Sequence, residues 1–317
     1  MSDKGTNAPQ GPGMSYFSSL ADHQRGLLIT TLGVLVLTPD SLLVRLIGME
    51  PFSLLVWRGV LQALGVLIIL RLFHGSRALD QIYAIGKWGV LLATVFTGST
   101  LFFILALAHT AVADVLVIVA VAPLVAALLS RSFLGEAVPG RTWLAIAFTL
   151  VGIGLLVFED LGSGSLYGDL AALGCAVCIG TSLTITRHRR AVSMVPAMAL
   201  AGAMTAVVAL PLALWLEGGS MSAGGLQLGY ILAMGLLVVP VSFALITVGP
   251  RYLPAPEVGL LMLLETVLGP LWVWLVLSED PGPWALAGGA VVVATLAGHA
   301  LAGARRSKTA RTEPARP

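Results

Sequence analysis

"VLVLTPDSLLVRLIGMEPFSLLVWRGVLQ", residues 34–62, joins two apolar runs at Glu50-Pro51. Followed outward, the runs extend to about 26–47 and 52–72. Each holds roughly twenty residues, enough for a helix to cross about 30 Å of hydrocarbon. The stretch therefore reads as an antiparallel pair of membrane helices turning at Glu50-Pro51. Four residues are out of place for such a pair. Pro39 breaks the helical ladder, Asp40 and Arg58 bring opposite charges into it, and Arg45, nearer the surface, reads as an anchor that snorkels outward.

The rest of the chain repeats the pattern. Of its 317 residues 57% are hydrophobic and only 11% charged, against about 25% charged in a soluble domain. Mean hydropathy is +0.94. Such a composition cannot cover a water-facing surface, so the bilayer must be the solvent. Further apolar runs fall at 88–108, 112–134, 142–158, 166–186, 194–216, 226–248, 256–278 and 283–303. Period-2 alternation is absent, which excludes a membrane β-barrel. The expected fold is an all-α polytopic membrane protein with ten helices. A net charge of +2 gives no reason to expect a nucleic-acid partner.

Residues 1–25 are rich in Gly, Pro and Ser and read as a disordered tail, as does the basic stretch 304–317. The first apolar run is too long for a signal-peptide core and stays as helix 1. With the N-terminus inside, the Lys and Arg residues outside the runs, from Lys4 to Arg316, fall in inside segments. The outside loops carry Glu50, Glu159, Asp160, Glu217, Glu279 and Asp280. The positive-inside rule then places both termini in the cytoplasm of a cell whose inner (plasma) membrane holds the protein.

Shifting the chain by 143 residues lays Glu136 on Glu279, Asp114 on Glu257 and Pro123 on Thr266. Each half, 26–158 and 166–303, holds five helices. An odd number forces equivalent helices to cross in opposite directions, the inverted-repeat design of many secondary transporters.

The segments "ALAHTAVADVLVIVAVAPLVAALLSRSFLGE" (106–136), "APEVGLLMLLETVLGPLWVWLVLSE" (255–279) and "PFSLLVWRG" (51–59) resemble the drug/metabolite transporter superfamily in its ten-helix form with two EamA domains. The resemblance spans about 26–302. It departs from the family pattern at Glu265-Thr266, where Glu-Pro is usual, and at Thr38-Pro39-Asp40, where helix 1 usually carries Trp-Gly. "TPDSLLVRL" with "PFSLLVWRG" is most similar to the solute-carrier-35 G branch.

Counting nine residues from Met49 in either direction reaches Asp40 and Arg58, which places both roughly 10 Å or more inside the membrane. A lone charge there costs on the order of 3 kcal/mol, so the two are expected to pair or to share a polar ligand. Glu265, near the middle of helix 9, is either a protonated strut or a carboxyl that exchanges protons during transport. It and Asp40 are the proton-coupling candidates. Trp57, Phe102, Tyr230 and Phe243, with Phe103 and Trp272 behind them, are candidate aromatic walls for a substrate, set against plain packing roles. His109, His299, Asp114 and Glu257 lie near helix ends and read as surface or capping groups.

Pro39, Pro123, Pro240 and Pro270 are the expected bending points. Pro196 and Pro211 interrupt apolar runs as well. Cys175 and Cys178 lie one turn apart with no second ligand pair, so they read as packing residues, and no metal or cofactor is expected. Ala290, Ala294, Gly298 and Ala302 give helix 10 a small-residue face. Such a face permits close packing within the chain, or a homodimer through helix 5 or helix 10.

No P-loop is present. The expected function is a secondary active transporter exporting a small polar or amphipathic metabolite, with an amino acid or related amine favoured and a proton as the coupling ion. A channel or lipid-translocating protein is the alternative. An intramembrane enzyme would need a catalytic cluster that the spacing of His, Ser, Cys and Asp does not supply.

Overall fold

The computed structural model describes residues 22–109, 112–156, 165–219, 221–278 and 282–312. Glu159, Asp160, Glu279, Asp280 and most of both tails lie outside them, as does the side chain of Asp114. All the regular secondary structure among the described residues is helical. Eight helices are long and apolar enough to cross a membrane, and Gly140–Leu155 and Leu286–His299 are shorter apolar stretches. Taken as spans in chain order, these ten match the apolar runs of the sequence.

The proline positions act differently from one another. The first span is two helices, Asp22–Leu37 and Asp40–Ile47, separated at Thr38-Pro39. The fourth is also two, Val112–Val119 and Ala122–Phe133, with the break just before Pro123. The eighth runs Gly225–Leu232, then a π-helical turn at Ala233–Val238, then Val239–Val248, so its irregularity precedes Pro240. By contrast, Ala255–Leu277 continues through Pro270 without a break, and Val195–Leu216 through Pro211. Pro196 sits in the first turn of that seventh span and interrupts nothing, because the first turn needs no N–H from it.

The remaining spans are Pro51–His74, Gly86–His109, Gly140–Leu156, Leu166–His188 and Gly282–Thr312. The last continues past Gly303 into the start of the basic tail. Their ends follow local chemistry. Pro51 occupies the first turn of the second span, Ser165 caps the sixth by accepting the Gly168 N–H at 3.2 Å, and Gly48 closes the first in the left-handed region at φ 56°.

The packing is two-fold. The second span packs on the seventh, the fourth on the ninth and the fifth on the tenth. The third packs on the sixth as the eighth does on the first, and the third on the seventh as the eighth does on the second. Exchanging each span for the one five later maps this pattern onto itself. Gly59 and Gly202, which correspond under the offset of 143, meet at the crossing of the second and seventh spans. A Cβ on Gly59 would come 2.6 Å from the Gly202 oxygen, and one on Gly202 2.7 Å from the Gly59 oxygen. Only glycine lets two backbones approach this closely in a membrane interface.

The fifth and tenth spans meet through Gly152, which faces Gly288 and Val292. Ala290, Ala294, Gly298 and Ala302 are exposed on the other side of the tenth span.

Candidate functional site

Pro39 has no N–H to offer the Leu35 carbonyl. Thr38 supplies the missing donor: its hydroxyl bonds the Leu35 oxygen at 2.8 Å. Trp272 of the ninth span completes the clasp, with its indole N–H donating to Thr38 Oγ1 at 2.9 Å. The break also starts a new helix at Asp40. A carboxylate in the first turn of a helix faces the positive end of its dipole, which explains an acid placed directly after the proline.

Asp40 is 6% exposed. Arg58 Nη1 donates to its Oδ2 at 2.7 Å, so the pair expected from depth counting forms. Asp40 Oδ1 is buried and has no hydrogen-bond partner. Glu265 lies within Coulombic reach of both Asp40 and Arg58. The three ionisable groups singled out in the sequence therefore share one region, brought there by the first, second and ninth spans.

Next to Arg58 is a small, partly open cavity. Leu55, Arg58, Gly59 and Gln62 line it from the second span, Phe96 and Thr100 from the third, Thr205 from the seventh and Phe243 from the eighth. It lies beside the Gly59–Gly202 crossing, between the two halves. Phe96 and Phe243 meet edge to face with centroids 5.0 Å apart. Both also pack on a buried apolar cluster that includes Val66, Leu70, Leu92, Ile185 and Met198.

Of the aromatic candidates, Phe243 lines the cavity. Trp57 and Tyr230 instead pack against Ile47, Leu54 and Ile231, and the Trp57 indole donates to the Met221 carbonyl at 3.1 Å. Phe102 is 40% exposed and lays its ring against Gly174 of the sixth span. Phe103 packs beside Ala106 and Val115. Gln62, Phe96, Thr100 and Thr205 were not singled out in the sequence. Gln62 carried a signal, being four residues after Arg58 and so on the same helix face. Its Nε2 donates to the Met198 carbonyl at 3.0 Å.

Polar ties join the spans near both ends of the bundle. At the end holding Arg71 and Arg141, here the basic face, Arg187 Nε donates to Glu136 at 2.7 Å and Nη1 to the Pro250 carbonyl at 3.1 Å. On the same face Glu257, 4% exposed, has Arg141 at 3.4 Å, His299 at 3.7 Å and His23 at 3.8 Å. Glu257 lies in the first turn of its helix, as expected, and together with His299 it belongs to a buried node joining four spans. At the opposite face Glu217 accepts the backbone N–H groups of Phe52 and Ser53 at 2.7 and 2.8 Å, and the Ser53 hydroxyl at 2.8 Å. A loop acid in the sequence is thus the cap of the second span. No group of three His, Cys, Asp or Glu able to hold a metal occurs among the described residues.

The family model of the EamA-like transporter family matches residues 25–158 and 166–299, one copy in each half. No curated protein matches the chain significantly. A solved structure titled "Crystal structure of protein" is similar in fold, with a TM-score of 0.75 over 90% of this chain and 99% of the other, at 21% identity.

Proposed function

Because the chain belongs to the EamA-like transporter family, with both of its repeats matched, we propose that it is a secondary active transporter working by alternating access. Its general activity, membrane transport of small molecules, comes with the family. The finer reading is that a small polar or amphipathic metabolite, an amino acid or related amine, is carried through the cavity beside Gly59 and Gly202. The observation that carries it is the presence of Arg58 on the wall of a cavity between the two repeats, where transporters of this design bind their cargo.

Alternation needs the halves to rock about their shared axis. The glycine crossing favours this, since the two halves meet there largely backbone to backbone. The Glu136–Arg187 and Glu257 ties brace the basic face, while Glu217 braces the opposite one. Opening either face would loosen its own ties. The broken first and fourth spans and the π turn of the eighth are the points at which helices can bend. Glu265 and Asp40 are the proposed proton-coupling groups, supported by the rarity of ionisable groups at membrane depth without a transport role. The basic face is proposed to be cytoplasmic, supported by the arginine distribution, and the direction of transport to be export from the cell.

The test is counterflow in proteoliposomes with a panel of labelled metabolites and an imposed pH gradient. Asp40→Asn, Arg58→Ala and Glu265→Gln should each reduce saturable uptake. Wild-type rates in all three would sink the site assignment. Cysteine labelling at Ser76 and Ser222 in intact cells checks orientation: only the latter should react.

A further inference from the structure

The acid and the base of the central pair do not stand on the same wall. Arg58 lines the cavity. Asp40 stands behind it, with Oδ2 taken by Arg58 Nη1 and Oδ1 buried away from open space. Among the described residues lining the cavity, Arg58 is the charged one. A guanidinium offers five N–H donors in a planar fork and accepts nothing, and Asp40 engages only one of its nitrogens. Of the rest of the wall, Leu55, Phe96 and Phe243 are apolar or aromatic, and Gln62, Thr100 and Thr205 add uncharged polar groups.

Given the transport reading above, we infer that the cargo is read through a carboxylate docked on Arg58, with a compact apolar body against Phe96 and Phe243. Planar, two-point recognition of a carboxylate is what an arginine fork does best. An amine of the same shape would set a cation beside the guanidinium, with Asp40 outside the cavity lining. The shared chemistry admits two sources, an apolar amino acid and a plain monocarboxylate. Glu265 is in Coulombic reach of Arg58 from outside the cavity wall.

The test is calorimetric binding to the purified full chain in nanodiscs, with three matched probes. These are L-leucine, isocaproate (leucine without its amine) and isoamylamine (leucine without its carboxylate). At least one carboxylate should bind about tenfold or more tighter than the amine, since a site built for a polar group rejects the analogue lacking it. Arg58→Gln should abolish that gap. The double variant Asp40→Asn/Arg58→Gln, which leaves no unpaired charge, should lose it too and guards against mere misfolding. Phe243→Trp, which fills the cavity and keeps the pair, should weaken both acids. Leucine alone binding identifies an amino acid, and equal binding of isocaproate a monocarboxylate; both outcomes support the inference. Equal or tighter binding of isoamylamine, or no binding of any probe, overturns it. Binding needs no compartments, so such a failure leaves the transporter reading to counterflow. Tight carboxylate binding without counterflow of any solute would remove the transporter reading instead.

Discussion

Replacing Arg58 by Gln removes the partner of a carboxylate that is 6% exposed and whose second oxygen is already unbonded. With charge centres about 4 Å apart and an effective dielectric of about 20, the lost attraction is about 4 kcal/mol. Breaking a buried pair from one side typically costs 3–5 kcal/mol. Hydrogen bonds between membrane helices average only about 0.6 kcal/mol, so a neutral contact at the same place would hardly register. The charge, not the contact, decides the size of the effect. Arg58→Gln and Asp40→Asn should each destabilise by about 3 kcal/mol. The double variant should cost about 1 kcal/mol or less, because it removes both members of the pair together. Reversible unfolding in mixed micelles, run as a double-mutant cycle, measures the coupling directly. Single variants that each cost under about 0.5 kcal/mol and simply add would refute the buried pair and the site built on it.

Glu217→Ala should cost about 1–2 kcal/mol, since a carboxylate cap accepting from two backbone N–H groups is lost; amide exchange at Phe52 and Ser53 should rise while the far end of that helix stays protected. Gly59→Ala drives a Cβ to 2.6 Å from the Gly202 oxygen and 2.8 Å from the Ala206 nitrogen. Neither backbone atom can yield alone, so a loss of about 1–3 kcal/mol is expected, visible as a lowered melting temperature against an unchanged Gly140→Ala control with open space around it. Trp272→Phe should cost about 1 kcal/mol by removing one donor. Thr38→Val should cost more in the same melt, because it also strips the Leu35 carbonyl of its partner; equal losses would mean the clasp is not what satisfies that carbonyl.

The spans were legible because hydrocarbon imposes a length and a composition that few other settings do. The Asp40–Arg58 pair was legible for a related reason: in an antiparallel hairpin, equal counts from the turn mean equal depth. The aromatic walls were not. Phe96 faces the cavity and Phe102, six residues on, faces outward. A membrane helix is apolar toward lipid and toward protein alike, so hydrophobic periodicity cannot tell the two faces apart. Glu217 read as an outside-loop acid and Glu257 as a charge at a helix end. Only the fold shows that one caps a neighbouring helix and the other is buried among residues of three other spans.

The scaffold is two-fold, but its chemistry is not. At the offset of 143, Arg58 corresponds to Ala201, Asp40 to Leu183 and Glu265 to Ala122. Ala201 is buried, and its carbonyl accepts the Thr97 hydroxyl at 3.2 Å. This follows from where the axis runs. Gly59 touches its own counterpart, so the backbones that carry positions 58 and 201 run close to the axis. A second arginine at 201 would add another cation to the same crossing, and at a separation of about 8 Å with an effective dielectric of about 20 the repulsion is roughly 2 kcal/mol. A charge near the axis can therefore be kept in only one half. The repeats share the glycine crossing because backbone approach is neutral and tolerates duplication. They part at Arg58 because charge does not.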